Sequence, residues 1–213
     1  IMFLDDDDLW EKNKVANQIK VFSKNPECGL VYCGKKVVKS TNRENHYRLI
    51  EAKKQGDLSK MIFRENFIGS TSSVAVRKNI FIRSGGFDIS LPSLQDYDLW
   101  IRICQLTDVF FVKSYDIRYT VFASSGMQIS SQSQRHLISK TIILKKYSNL
   151  NYFSYIKLKS KLYFIYAQAL ERNKNIDFLQ NSLISFFIFP NIKSIGLIGL
   201  GIFNRFNKIN RKE

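Results

Sequence analysis

Cysteine and histidine are scarce in this chain of 213 residues, which contains three cysteines and two histidines. Cys28, Cys33 and Cys104 form no Cys-x-x-Cys pair and have no pair of histidines nearby. This spacing argues against a disulfide framework and a zinc site, and it favours buried thiols in a reducing compartment. The opening residues also lack the basic flank of a secretory signal peptide, so we expect no such signal there.

Acidic residues are nearly missing from the last third of the chain. Residues 135–213 contain 14 Lys and Arg against 3 Asp and Glu, a net charge of +11, whereas residues 1–134 contain 19 against 15. Such a basic segment suits an anionic partner, either phospholipid or nucleic acid. Because its lysines and aromatic residues recur at helical spacing, packed helices with solvated faces explain the pattern better than a nucleic acid site. We expect an anionic membrane surface as the partner, and no nucleic acid.

Hydrophobic residues make up 45% of the chain, which excludes a disordered protein and allows one ordinary domain with an appendage. Apolar spacing and turn residues predict elements in the first part of the chain. The predicted helices lie at about residues 9–24, 58–64, 78–84 and 95–106. The predicted strands lie at 28–33, 74–77, 109–112 and 117–122. Residues 35–57 have no clear period and predict a polar surface excursion.

After residue 134 the sequence has the long periods of helices, at 137–147, 155–173 and 177–189. The stretch 183–203 is apolar but interrupted by Pro190, Asn191 and Lys193. This pattern fits an interfacial or re-entrant helix pair, and it fits two ordinary core helices equally well. We therefore divide the chain into residues 1–134 and a basic, aromatic-rich helical region at residues 135–213.

Four consecutive aspartates, Asp5 to Asp8, interrupt an apolar stretch that begins at Ile1 and resumes at Leu9 and Trp10. Like charges side by side repel one another, and Asp is a poor residue in both helices and strands. A hard divalent cation, Mg²⁺ or Mn²⁺, would offset that repulsion. The alternative is a solvated turn with Asp8 as the N-cap of the following helix.

A second acidic segment begins the predicted helix at residue 95. Asp96 lies in its first turn, where the helix dipole favours a carboxylate. Asp98 and Arg102 are four residues apart, the spacing of a helical ion pair. This segment alone is weak evidence for a functional site. Its position relative to the acidic turn and to Gly85 and Gly86 makes it informative.

These segments together resemble the family 2 glycosyltransferases, inverting enzymes of the GT-A fold that use nucleotide-diphosphate sugars. Four stretches carry the resemblance, in the order found in the family. They are Phe3-Leu4-Asp5-Asp6-Asp7-Asp8-Leu9-Trp10, Gly29-Leu30-Val31-Tyr32, Ser72 to Arg77 with Gly85-Gly86-Phe87-Asp88, and Gln95 to Arg102. The resemblance covers about residues 1–130 and implies an α/β fold, a partial GT-A sheet followed by a helical region. It favours the metal site over the solvated turn.

The resemblance also implies roles for individual residues. Asp5 and Asp7 correspond to the metal-binding Asp-x-Asp carboxylates, and Asp96 corresponds to the general base. The metal would neutralise charge on the leaving diphosphate. Residues assigned to substrate binding by the resemblance are Asp5, Gly85, Gly86, Asp98, Trp100 and Arg102.

Three departures from the family pattern limit these implications. The first βαβ units of the family do not precede Ile1, so we expect a truncated chain that does not turn over a donor by itself. Gln95 stands where Glu is commoner, and the stretch Thr120 to Ser124 has no metal-binding His. The Gln-x-x-Arg-Trp signature of processive synthases is missing, which favours transfer of a single sugar.

The predicted function is the transfer of one sugar to a glycan or lipid-linked acceptor in cell-surface polysaccharide synthesis. We expect a cytoplasmic protein, peripheral on the inner face of the plasma membrane. Two alternatives from other classes remain open at this point. One is a catalytically dead GT-A remnant that acts as a scaffold. The other is a basic protein that binds membranes or nucleic acid.

Overall fold

The computed structural model describes residues 1–122 and 132–209, with side chains to residue 203. The chain forms two compact units. The first comprises Ile1–Ser90 and Gln95–Ser124, and the second comprises Leu91–Leu94 and Ser125–Glu213. The division predicted at residue 134 stays a prediction.

The first unit is a mixed five-stranded sheet with three helices. Its strands are β1 (Leu9–Trp10), β2 (Cys28–Lys39), β3 (Asn42–Ile50), β4 (Val74–Val76) and β5 (Asp108–Val121). Its helices are α1 (Lys14–Lys24), α2 (Lys78–Arg83) and α3 (Gln95–Cys104). The order is β1-β5-β2-β3, with β4 paired to β2 beside β3. Only the β2–β5 pair is parallel, and the sheet confirms the predicted α/β class.

Strand β2 is the centre of this sheet. Residues 28–34 are buried, and Leu30 and Val31 have no exposed surface, which confirms the predicted burial on both faces. The strand also pairs with β5 along its whole length, from Cys28 opposite Asp108 to Lys39 opposite Val121. A strand bonded on both edges has no free edge for aggregation. All three cysteines are free and buried, as the sequence predicts.

The surface position predicted for residues 35–57 holds for β3, but the expected lack of regular structure is wrong, because β2 continues to Lys39 and turns back into β3. Almost every residue of β3 is exposed, so its side chains carry no apolar alternation for a pattern to detect. Backbone pairing alone forms this ribbon, from Lys35 opposite Ile50 to Lys39 opposite Asn42. Exposed hairpins of this kind are invisible to hydrophobic periodicity.

The predicted helix at residues 9–24 is wrong in both its start and its buried face. Leu9 and Trp10 form β1 against β5, and the helix begins at Lys14 with Asn13 as its N-cap. Val15 and Ile19 are exposed, whereas Lys14 and Gln18 are buried. Gln18 Nε2 donates to two carbonyl oxygens, at 3.2 Å to Val31 and 2.8 Å to Ser73. The helix therefore docks through hydrogen bonds to backbone carbonyls of its neighbours rather than through an apolar stripe.

Other boundaries also differ from the sequence prediction. Residues 58–64 form turns rather than a helix, and the two strands predicted after residue 108 are one strand, β5. The helix at 78–84 and its end at two glycines are confirmed. Gly85 and Gly86 have φ values of +81° and +66°, which glycine adopts without a steric penalty.

The described residues of the second unit form four helices, which confirms the helical character predicted for this region. They are α4 (Ser133–Lys146), α5 (Tyr152–Arg172), α6 (Phe178–Ile188) and α7 (Ile192–Ile209). Buried serine hydroxyls connect three of them, because Ser160 of α5 bonds Ser185 of α6, which bonds Ser194 of α7. His136 is buried on α4. Among the described residues, no helix combines the length and the continuous apolar sequence needed to cross a membrane.

The buried polar docking of α1 leads to a first testable expectation. In Gln18→Met, the Lys14 ammonium loses the oxygen that accepts its 2.8 Å hydrogen bond, and the carbonyls of Val31 and Ser73 lose their amide donor. We expect the free energy of unfolding to fall by about 2 to 4 kcal/mol, since buried polar groups are left without these partners. Urea denaturation measures this change. Ile19→Met, at an exposed neighbouring position, is the control and should stay within about 0.5 kcal/mol of the parent.

Candidate active site

The acidic turn follows a short segment that pairs with β4. The Ile1 ammonium donates to the Val76 carbonyl at 2.7 Å, and Val76 N–H donates to Ile1 O at 2.8 Å, beside a bridge between Met2 and Ala75. The turn itself closes through a 3.1 Å hydrogen bond from Asp8 N–H to Asp5 O. The four aspartates therefore follow the sheet edge and form a hydrogen-bonded backbone turn.

Hydroxyl groups from the segment before β4 hold this acidic turn. Thr71 Oγ1 lies 2.8 Å from both carboxylate oxygens of Asp5, and Ser72 Oγ accepts from Asp5 N–H at 3.1 Å. Ser70 Oγ donates to Asp8 Oδ2 at 3.4 Å. Sequence reasoning assigned no role to these hydroxyl groups. The signal was available, since four hydroxyl residues in succession, Ser70 to Ser73, offer donors for carboxylates.

The aspartates of the turn divide into two kinds. Asp5 and Asp6 are exposed and Asp7 is half-buried, whereas Asp8 is only 4% exposed. Burial raises the pKa of Asp8, while hydrogen bonds from Ser72 and from Thr120 N–H oppose that rise. Asp8 ties the turn to β5, and the helix has Asn13 as its N-cap, so the alternative in which Asp8 caps that helix does not hold. Asp5 and Asp7 keep exposed surface.

Asp96 lies at the start of α3 and is half-buried. Burial raises the pKa of its carboxyl to about 6, against the effects of the Tyr97 N–H, which donates at 2.7 Å, and the Lys35 ammonium. The charge of Asp5 acts in the same direction as burial, so the two carboxylates lie in one electrostatic neighbourhood. A pKa near the working pH is what general base catalysis favours.

Lys35 of β2 is the residue of this site that sequence reasoning missed. Burial lowers the pKa of its ammonium, and Asp8 and Asp96 act against that lowering. Its Nζ lies 5.0 Å from the centroid of the Tyr119 ring. In the sequence, Lys35 belongs to a polar stretch that resembles an exposed loop, which is why it attracted no attention.

The structure places Asp98, Trp100 and Arg102 behind the site, where each has a structural partner. Asp98 has no exposed surface, and its Oδ2 accepts from Arg102 Nε at 3.0 Å and Nη2 at 2.7 Å. Arg102 also donates to the carbonyl of Ser84, just before the glycine pair. Trp100 Nε1 donates to Gly69 O at 3.0 Å. Their assignment to substrate binding stays a prediction, as does that of Gly85 and Gly86.

With this geometry in view, comparison with known proteins gives a clear result. Residues 1–141 match the family described as Glycosyltransferase like family 2. The chain belongs to this family. The predicted recognition is therefore confirmed, and the matched range contains the acidic turn, Lys35 and Asp96.

Curated relatives of this glycosyltransferase-like chain carry names of the same kind. An uncharacterized glycosyltransferase of Haemophilus influenzae is 30% identical over 105 residues, which are 49% of this chain and 35% of that protein. One from Rickettsia typhi is 26% identical over 51% of this chain and 35% of its own length. One from Rickettsia bellii is 27% identical over 58% of this chain and 18% of its own length. The chain thus spans about a third or less of these relatives.

Family 2 glycosyltransferases typically use a divalent metal. Among the residues that the structure describes, no three His, Cys, Asp or Glu side chains form a metal-holding group. Two carboxylates can nevertheless suffice, because Mg²⁺ keeps several waters and takes its remaining ligands from substrate phosphates. Asp5 and Asp7, which both retain exposed surface, are the residues of this turn that would hold such an ion, with a diphosphate completing its coordination.

Because Asp98 is buried, its substitution should lower the stability of the fold. In Asp98→Asn the Arg102 guanidinium loses its charged partner at a site where Asp98 is fully enclosed and Arg102 is 19% exposed. We expect a loss of about 3 kcal/mol in the free energy of unfolding, since breaking a buried pair leaves a charge uncompensated. Chemical denaturation provides the measurement. Glu51→Gln, which removes the exposed pair between Glu51 and Lys53, is the matched control and should leave the midpoint unchanged.

Proposed function

We propose that this chain carries the metal-binding and base-bearing part of an inverting glycosyltransferase, which moves one sugar from a nucleotide-diphosphate sugar to an acceptor hydroxyl. A single observation supports this best. Asp96, with a pKa of about 6, lies in the same electrostatic neighbourhood as Asp5 of the acidic turn. The site thus combines a carboxylate suited to proton transfer at neutral pH with accessible carboxylates suited to a hard cation.

The proposed reaction is a direct displacement at the anomeric carbon. The acceptor oxygen forms a bond to that carbon while the bond to the diphosphate oxygen breaks, and the acceptor proton moves to the Asp96 carboxylate. The Tyr97 N–H fixes the direction of the carboxylate through its 2.7 Å hydrogen bond to Oδ1. A divalent ion held by Asp5 and Asp7 would supply charge neutralisation for the leaving diphosphate.

The same proposal names the partners of the site. The donor is a nucleotide-diphosphate sugar, and the acceptor is a glycan or a lipid-linked sugar in cell-surface polysaccharide synthesis. Transfer of one hexose-type unit per event follows from the missing signature of processive synthases. The site geometry favours an enzyme over the scaffold alternative, because a relic would not need a carboxyl with a raised pKa beside an accessible acidic turn.

Substitution of the two classes of carboxylate tests this proposal. Asn matches Asp in size but takes no proton at neutral pH, so Asp96→Asn should lower turnover by roughly 10²- to 10⁴-fold while donor binding persists. Asp7→Asn should weaken metal-dependent donor binding as well as rate, because it removes a hard ligand. Initial rates over a panel of nucleotide-diphosphate sugars, with calorimetry of donor binding, separate these effects.

Asp6→Asn is the matched control for this series. It removes one negative charge from the same turn at an exposed position that the proposal assigns to neither metal nor base. We expect donor binding and turnover close to those of the parent. Near-normal turnover in Asp96→Asn would show that the base is another group.

We further propose that the second unit binds the inner face of the plasma membrane peripherally. Large apolar side chains on α6 and α7 are exposed, with Phe187 at 78% and Ile192 at 82%. They occur in the region that carries a net charge of +11. Apolar contact with the acyl boundary and attraction to anionic headgroups are the two signals that peripheral binding requires.

Replacing the exposed apolar side chains tests this membrane proposal without removing buried ones. The double variant Phe187→Gln with Ile192→Gln should reduce co-sedimentation with phosphatidylglycerol vesicles several-fold, because it removes the apolar signal and keeps the charge. Ile89→Gln, at a fully exposed apolar position of the first unit, is the control. Unchanged sedimentation of the double variant, or stronger retention by RNA across a salt series, would contradict membrane binding through this surface.

A further inference from the structure

Leu94 has a backbone conformation that its side chain disfavours, and it lies directly before α3. Its φ is +61°, in the left-handed region, where a Cβ atom crowds a neighbouring carbonyl oxygen. Among the described residues, the other non-glycine position with a positive φ is Lys174. Lys174 follows the end of α5, where a left-handed residue commonly terminates a helix. Leu94 precedes a helix, so this explanation does not apply to it.

The segment that leads to Leu94 is anchored within the second unit. Leu91 and Ser93 are buried, and Pro92 between them restricts the backbone. The Ser93 N–H donates to Ser139 Oγ of α4 at 3.0 Å, and Ser93 Oγ donates to the same oxygen at 3.1 Å. Two hydrogen bonds to one buried oxygen therefore fix the residue that precedes Leu94.

Burial makes these two hydrogen bonds costly to lose. Ser139 has no exposed surface and Ser93 has almost none, so water competes weakly for either group. A return of Leu94 to a negative φ would draw Ser93 away from α4 and leave its N–H without this partner. A buried donor that loses its acceptor is disfavoured, so the hydrogen bonds oppose relaxation of the strained residue.

Leu94 is joined directly to the helix that carries the proposed base. Gln95 begins α3, and Asp96 is its second residue. The Tyr97 N–H donates to Asp96 Oδ1 at 2.7 Å. The first N–H groups of a helix have no carbonyl partner within it, so the direction in which the chain enters α3 determines where they point. A rotation at Leu94 would therefore turn the Asp96 carboxylate together with the Tyr97 amide.

We propose that Ser139 is a positioning residue of this site, which holds Leu94 in its left-handed conformation through Ser93 and so directs the Asp96 carboxylate. The inference rests on the function proposed above and deepens it. Backbone strain of this kind persists only where surrounding contacts maintain it, and it is frequent at active sites. Ser139 acts on Asp96 only through the chain that runs from Ser93 into α3.

Amide hydrogen exchange in the full chain tests the inference without an assay of sugar transfer. Ser139→Ala removes the shared oxygen, so Leu94 relaxes, and we expect exchange of the Tyr97 amide to accelerate several-fold. Thr141→Ala is the matched control, because it removes an exposed hydroxyl that bonds a carbonyl within α4. This control should leave Tyr97 exchange at the parent rate. Exchange of the Ile143 amide, in the same helix, should stay unchanged in both variants.

A substitution at position 94 separates the positioning role from a general loss of stability. Glycine adopts a positive φ without a steric penalty, so Leu94→Gly enters α3 correctly without the anchor at Ser93. In the Leu94→Gly background, Ser139→Ala should therefore accelerate Tyr97 exchange much less than it does in the parent. Equal acceleration in the two backgrounds would overturn the inference.

Ser93→Ala covers the case in which Ser139→Ala does not fold. It removes the 3.1 Å hydrogen bond and keeps the N–H donor, so it should accelerate Tyr97 exchange by a smaller factor. Parent-like exchange of Tyr97 in folded Ser139→Ala contradicts the positioning role, as does an equal rise at Ile143. If Ser139→Ala does not fold, parent-like exchange in Ser93→Ala contradicts it.

Turnover distinguishes this inference from the function on which it rests. Ser139→Ala should lower kcat roughly tenfold or more and leave the KM for the donor unchanged, because the acidic turn rather than Asp96 binds the donor. Faster Tyr97 exchange in a protein that transfers no sugar would retain the positioning role and remove the transferase. Normal transfer with unchanged exchange would retain the transferase and remove the role of Ser139.

Discussion

The candidate site depends on carboxylates that are partly or wholly buried. Asp8 is buried and Asp96 is half-buried, and burial raises the pKa of both. A fold holds such groups only when donors and cations surround them. The hydroxyls of residues 70–72 surround the turn, the Tyr97 amide meets Asp96, and Lys35 acts on both carboxylates.

Helix α3 organises the loops around these carboxylates. Its first turn carries Asp96, and its later residues reach backwards to fix the chain that forms the rest of the site. Tyr97 donates to Ile62 O at 2.8 Å, and Trp100 donates to Gly69 O at 3.0 Å. Arg102, anchored by Asp98, holds the carbonyl of Ser84 before the glycine pair. Asp98, Trp100 and Arg102, which the family resemblance assigns to substrate binding, thus have structural partners in this fold.

The sequence is informative where a structure is determined locally. The strand at residue 28, the glycine stop after α2, the helix at residue 95 and the helices of the second unit follow from apolar period and turn residues. The acidic turn is equally visible, because four aspartates need compensation wherever they lie. Membership of a glycosyltransferase family follows from the order of these segments.

Local patterns do not reveal what depends on partners distant in sequence. Lys14 and Gln18 are buried because Gln18 donates hydrogen bonds to the carbonyl oxygens of Val31 and Ser73. The apolar spacing of α1 does not indicate these hydrogen bonds. Arg102, the partner of Asp98, likewise bonds Ser84, which is 18 residues away, and Lys35 lies against the backbone of Gly69. β3 escapes detection for the opposite reason, since its side chains contact little.

The close approach of Gly69 to the Lys35 ammonium places two constraints on one position. A side chain at position 69 meets both a left-handed backbone and the Lys35 ammonium, so it is excluded for two independent reasons. Relief of the steric reason alone, through a shorter residue at position 35, leaves the backbone reason in place. Among proteins that share this turn, the glycine should therefore be retained even where another residue replaces the lysine.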